Sequence, residues 1–193
     1  FELYVGALRV TLLGSCFRYY VITVKYSLKV GRSLQGDYMT TYHDVPADLL
    51  IEELSQRLES NDAIDAPDWA EFVKTGTHRE RTPDQENWWF IRSAAVLRKV
   101  ALKGPIGANH MAQHFGGPKD RGVKPNRAVA GSRKIARTVL QQLTAAGLIV
   151  NSTNIREVNL GKVITPAGQS LLDDVAHSVR GAAEEKYPGL ARY

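Results

Sequence analysis

The chain of 193 residues, 44% hydrophobic and 23% charged, is long enough for one domain with a real core, and its net charge of +5 points weakly toward a polyanionic partner. Cys16 is its only cysteine, which excludes an internal disulfide framework and a zinc site of several thiolates and makes a reducing compartment the default. No uncharged apolar run approaches the roughly 18 residues of a membrane helix, so no membrane partner is expected.

Residues 1–38 are rich in β-branched and aromatic side chains, poor in acids, and without helical periodicity. Here "YYVITVKYSLKV" reads as a strand. "VTLLGSCF" has the apolarity of a signal-peptide core, but no small-x-small cleavage site follows it. A third reading makes Met39 the biological start and the residues before it the product of a start codon set too early. That reading is favoured over a genuine β extension, with a cleaved targeting peptide last.

From Met39 the pattern is mostly helical. "PADLLIEELSQRLES" puts Leu50, Leu54 and Leu58 on one face, with Pro46 suited to a helix start. "PDWAEFVK" is a short helix set off by Pro67, and "KTGTHRERTP" a polar, basic connector ended by Pro83. A long helix is predicted from about Asp84 to Lys103, stopped by Gly104-Pro105, with Phe90, Ala94, Leu97 and Ala101 toward the core and Arg92, Lys99 and Lys103 opposite. "GANHMAQHF" is another short helix, closed by Gly116-Gly117.

The stretch that follows, rich in Gly and Pro, is expected to be a loop. Ser132 then caps a helix reaching about Ala146, with Gly147 just past its end. Its apolar face is Ile135, Val139, Leu143 and Ala146; Arg133, Arg137, Gln141 and Thr144 share another. "GLIV" and "KVIT" read as two short strands. Thr165-Pro166 opens a last helix, buried through Leu171, Leu172, Val175 and Val179 and expected to fray after Arg180. This order predicts a mostly α, winged-helix-related domain with a small β-hairpin. Residues 1–38 would be an N-terminal extension outside the native domain, and 39–193 the winged-helix-like domain itself.

Chemistry concentrates between Gly116 and Arg137. Lys119, Arg121, Lys124, Arg127, Arg133, Lys134 and Arg137 are opposed there only by Asp120, and the rest of the chain is slightly acidic. Such local basicity implies a docked polyanion rather than a generally adhesive surface. Arg133 and Lys134 occupy a first helical turn, where the macrodipole disfavours cations unless an anion docks. The glycines are not followed by Lys-Ser/Thr, so this is no nucleotide-binding P-loop. The stretch has no aromatic residue, which argues against base stacking and leaves phosphate, sugar and shape as the readout.

Other motifs carry less. His110 and His114 are four apart on a helix, but no local acid or cysteine completes a metal site. Asp173-Asp174 and Glu184-Glu185 are adjacent acids that point apart on a helix, and Trp88-Trp89 reads as a core anchor. No nucleophile has a matching base, so neither an enzyme, a cofactor, a bound metal nor a small-molecule substrate is expected. Arg98 shares a face with Ile91, Ala94, Ala95 and Leu102 and so is expected to be partly buried. It would need internal carboxylates or interface phosphates as partners.

Together, "PDWAEFVKTGTHRERTPDQENWWFIRSAAVLRKV", "GGPKDRGVKP", "GSRKIARTVLQQL" and "GKVITPAGQSLLDDVA" resemble the S19e family of small-subunit ribosomal proteins of archaea and eukaryotes, with details closer to the archaeal branch. The similarity runs in order from about Met39 to Val179. It implies a mostly helical, winged-helix-related fold and a cytoplasmic, ribosome-associated protein in the head of the small subunit. There it would be held by ribosomal RNA beside other head proteins and take part in subunit maturation. The family's basic positions match at Arg98, Lys119, Arg121, Lys124, Arg133 and Arg137, and Lys74, His78 and Arg79 match a second basic connector. The family does not supply the first 38 residues.

The competing function is a winged-helix DNA-binding transcription regulator. A DNA-reading helix-turn-helix joins its helices by about three or four residues. Here the charged insertion from Gly117 to Gly131 intervenes and would obstruct groove docking.

Overall fold

The recurrence of leucine at every fourth position, Leu50, Leu54 and Leu58, becomes the buried face of α1 (Ala47–Glu59) in the computed structural model, which describes residues 40–154, 156 and 158–189. The expectations placed on residues 1–38 lie outside the described residues. A 3₁₀ helix (Asp68–Phe72) follows, carrying Trp69 into an edge-on contact with Trp89 at 5.6 Å between ring centroids.

Helix α2 (Trp88–Lys103) runs through the middle and packs on α1, on the fourth and fifth helices, and on the last strand. It starts at Trp88 rather than Asp84. The four residues before it are polar, with nothing to bury, and the Trp88 N–H closes a turn on the Gln85 carbonyl at 3.3 Å. Because neighbours surround it, its buried set is wider than one stripe: Trp88, Trp89, Ser93, Ala94, Val96, Leu97 and Val100, with Phe90 and Ala101 only half-buried. Buried Ser93 satisfies its hydroxyl by donating to the Trp89 carbonyl at 2.9 Å. Arg92, expected on the solvent side, is instead half-buried against Phe115, its guanidinium carbon 4.1 Å from the ring centroid.

Helices α3 (Ala108–His114) and α4 (Arg133–Ala145) pack on each other. The Ser132 hydroxyl caps α4 by accepting from the Ile135 N–H at 3.4 Å, and Gly147 ends it in the left-handed region at φ 73°.

Between α3 and α4 the structure has a hairpin where a loop was expected. Strand β1 (Gly117–Arg121) pairs antiparallel with β2 (Lys124–Val129), in the register Gly117↔Val129, Lys119↔Arg127 and Arg121↔Lys124. Gly122, at φ 69°, supplies the left-handed residue that a two-residue hairpin turn requires, and its N–H donates to Asp120 Oδ1 at 2.8 Å. Pro118 and Pro125 are tolerated because each strand of a two-stranded hairpin is an edge.

A second hairpin, β3 (Ile149–Thr153) with β4 (Asn159–Ile164), forms the wing; compared with the expected "GLIV" and "KVIT" it leaves out Gly147, Leu148 and Thr165 and reaches on to Thr153 and back to Asn159. Its inner end buries Ile149 opposite half-buried Ile164, and Ile106 adds a bridge by exchanging two 3.0 Å backbone bonds with Lys162. The backbones can meet there only because Gly161 has no side chain. It sits at φ 135°, and a Cβ would stand 2.8 Å from the Ile106 nitrogen. Gly161→Ala is therefore expected to lower stability by about 1–3 kcal/mol in a denaturant titration, the cost of strained backbone; an unchanged midpoint would contradict the close approach.

The last helix, α5 (Pro166–Lys186), begins with Thr165 as cap, its Oγ1 accepting from the Gly168 N–H at 3.2 Å, and Pro166 in the first turn. It does not fray after Arg180. Ala183 is buried, Arg180 pairs with Glu184 at 2.7 Å, and Lys186 reaches Asp48 of α1 at 2.8 Å. The described chain is thus a mostly helical, winged-helix-like domain, with two antiparallel hairpins instead of one.

Candidate nucleic-acid interface

The hairpin β1–β2 buries neither face. Lys119, Arg121, Lys124 and Arg127 are all exposed, and Val123 at the tip is fully exposed. A two-stranded hairpin is marginal in water without a packed face. This one also sets like charges directly opposite each other, Lys119 across from Arg127 and Arg121 across from Lys124, a destabilising arrangement. The only acid on it, Asp120, is engaged with the turn. Among the described residues none of these four cations forms an ion pair.

The base of the hairpin is tied to the basic connector. Gly76 bridges Gly131, and the Ser132 N–H donates to the Thr75 carbonyl at 2.9 Å. Exposed Lys74 and Arg79 are thereby brought beside the start of α4. Arg133 and Arg137, one turn apart, are both exposed on that helix. Lys134 is exposed too, but its ammonium lies 5.7 Å from the Trp69 ring centroid, so it is turned toward the 3₁₀ helix. The hairpin, the helix start and the connector thus form one basic region around the α4 N-terminus.

Arg98 stands elsewhere on α2. It is half-buried, as expected, and its Nε is enclosed without a hydrogen-bond partner among the described residues. No carboxylate forms an ion pair with it among those residues.

Besides the hairpin shape, one further feature escaped the sequence. Arg92 borders a cleft of about 750 Å³ between the connector and α2, together with His78, Arg79 and Arg81. Burial, and after it the neighbouring Arg79, pull the Arg92 guanidinium below its ordinary value. Burial, then Arg79 and Arg92, likewise lower the His78 pKa from its ordinary value. The sequence signal for Arg92 was an arginine on α2 with no acid one turn away, which periodicity alone files as a solvated face.

The histidine pair on α3 belongs to a cationic environment: burial, Lys103, Lys99 and His110 all lower the His114 pKa. Among the described residues no group of three His, Cys, Asp or Glu side chains could hold a metal ion.

A model of the ribosomal protein S19e family matches residues 41–182, from the turn before α1 through most of α5. The chain belongs to that family. Curated relatives named small ribosomal subunit protein eS19 are similar to it over most of their length. The Haloarcula marismortui protein is 44% identical over 159 residues, covering 80% of this chain and 99% of the relative. Those of Thermoplasma acidophilum and Aeropyrum pernix are 36% and 38% identical, covering 80% and 78% of this chain and 99% and 96% of their own. The S19e match includes the hairpin, the connector and the α4 start, so the basic region lies within the family's domain. A ribosomal protein of this kind is a structural component rather than an enzyme.

Proposed function

We propose that the chain is a structural constituent of the small ribosomal subunit. Its basic hairpin and α4 start, flanked by the connector, would bind ribosomal RNA in the head, and Arg98 would meet a phosphate there. The observation that carries this is the exposed hairpin with like charges in register across its strands, since that arrangement is relieved by an external polyanion. Contacts of this kind position a protein on a folded RNA by phosphate and shape rather than by sequence.

In this reading residues 39–193 are the ribosomal-protein domain and 1–38 an extension the assembly does not require. The protein acts in the cytoplasm on the ribosome, beside other head proteins, and takes part in subunit maturation. A DNA regulator fits less well, because an exposed hairpin occupies the place of the short turn in a DNA-reading motif. The native protein is expected to sediment with small subunits after a high-salt wash. Its recovery in the ribosome-free supernatant would overturn the proposal.

A further inference from the structure

The basic hairpin packs neither face, so the direction in which it projects is decided at its root. After β2 the chain is tied by backbone. The Gly131 N–H donates to the Ala112 carbonyl at 2.8 Å, and Gly131 bridges Gly76 of the connector. Before β1 the Gly116 N–H closes the end of α3, on the Gln113 carbonyl at 3.1 Å. The first residue of β1, Gly117, is met instead by a side chain. A turn from Gly76 to Arg79, closed by the Arg79 N–H on the Gly76 carbonyl at 3.2 Å, carries His78 at its third position. The imidazole folds back so that a Cβ on Gly76 would stand 2.8 Å from its Cε1 and Nδ1, and a Cβ on Gly117 3.1 Å from its Cδ2. One edge of the ring thus lies on each glycine, in a slot that a side chain at Gly76 would crowd. The ring is held there by shape, since its buried Nδ1 has no hydrogen-bond partner among the described residues.

We propose that His78 is a positioning residue: its ring, seated between Gly76 and Gly117, sets the angle at which the basic hairpin leaves the body beside the α4 start. The backbone ties after β2 hold one strand and the ring steadies the other, and two points fix a direction where one leaves a pivot. Aim matters because the hairpin and the α4 start are two binding elements on one body. They reinforce each other only when the geometry lets both engage the same RNA, and a hairpin already held in the binding direction loses less freedom on docking. The RNA half of this inference rests on the reading above; the direction of the hairpin is a property of the free chain.

The test uses the full chain with Cys16→Ser and nitroxide labels at Val123→Cys on the hairpin tip and Gln141→Cys on α4, both exposed. Pulsed electron paramagnetic resonance then reads the distance between them without RNA. A narrow distribution is expected, broadened by His78→Ala and shifted by Gly117→Ala, whose Cβ pushes on the ring. Lower stability alone does not alter the distances within molecules that remain folded, and the glycine variant keeps the test decisive should His78→Ala fail to fold. A distribution that neither substitution changes overturns the proposal. In RNA titrations of the unlabelled chain, His78→Ala is expected to weaken binding by about tenfold, an ordinary coupling for residues acting through one another. Arg121→Ala/Lys124→Ala should then cost much less in the His78→Ala background than in wild type. Strict additivity of the two changes overturns the link between ring and hairpin. Failure of the wild-type chain to bind RNA overturns the RNA-binding reading, and the label distances still decide whether His78 aims the hairpin.

Discussion

Leu143→Ala should destabilise the protein by about 2–5 kcal/mol, the range of other large-to-small changes at buried leucines. Leu143 is fully buried on α4, the helix that joins α2, α3 and β3 in one core. Removing its side chain opens a void between elements that are each fixed by further contacts, so collapse around it is limited. Arg133→Ala, one residue past the Ser132 cap on the same helix, should change stability by no more than about 0.5 kcal/mol. Its side chain is exposed and makes no ion pair among the described residues. Loss of a cation from a first helical turn even favours the helix slightly. Urea titrations of both variants measure the difference directly. A large effect at Arg133 with a small one at Leu143 would mean that the two faces of α4 have been exchanged.

The elements legible in the sequence were those with one buried face and a chemically marked end. In α4 the apolar positions recur with the helical period between Ser132 and Gly147, and the structure buries Ile135, Val139 and Leu143 as that spacing requires. The start of α5 was equally readable from Thr165-Pro166. Its end was not, because what holds the last turns is distant: Asp48 on α1 receives Lys186.

The β1–β2 hairpin was missed for a different reason. A strand announces itself by alternation only when one face is buried, and here both faces are in solvent, so Lys, Arg and Pro occupy both. Half of the candidate site was therefore legible as charge but not as shape. Arg92 was hidden in the same way, since the ring that covers it comes from Phe115, beyond the end of α3. Spacing led to a winged helix; the long motifs in register led to the family.

Affinity for folded head-domain RNA should fall steeply with salt, and Arg121→Ala/Lys124→Ala should flatten that dependence by somewhat under two units of slope. Each neutralised phosphate contributes roughly 0.7 to 0.9 to the slope of log affinity against log salt, taking single-strand and duplex DNA as the guide. Arg121 and Lys124 face each other across the turn at the hairpin tip, so one RNA strand can engage both. The nearest internal acceptor of Arg121 is the Pro125 carbonyl, at a long 3.5 Å, which leaves its charge available. Removing the pair deletes a like-charge repulsion and no buried contact, so a weaker complex cannot be ascribed to a damaged fold. On the proposed reading these would be positioning contacts, so the loss should be similar on RNA sequences that share one fold. Arg137, further along α4, is a less clean probe, because a helix side chain can also cover apolar surface with its stem. Salt titrations of wild type and double variant on the same RNA decide the matter. An unchanged slope would make the hairpin a solvated projection, and the anion that relieves its opposed charges would have to be sought in a partner other than RNA.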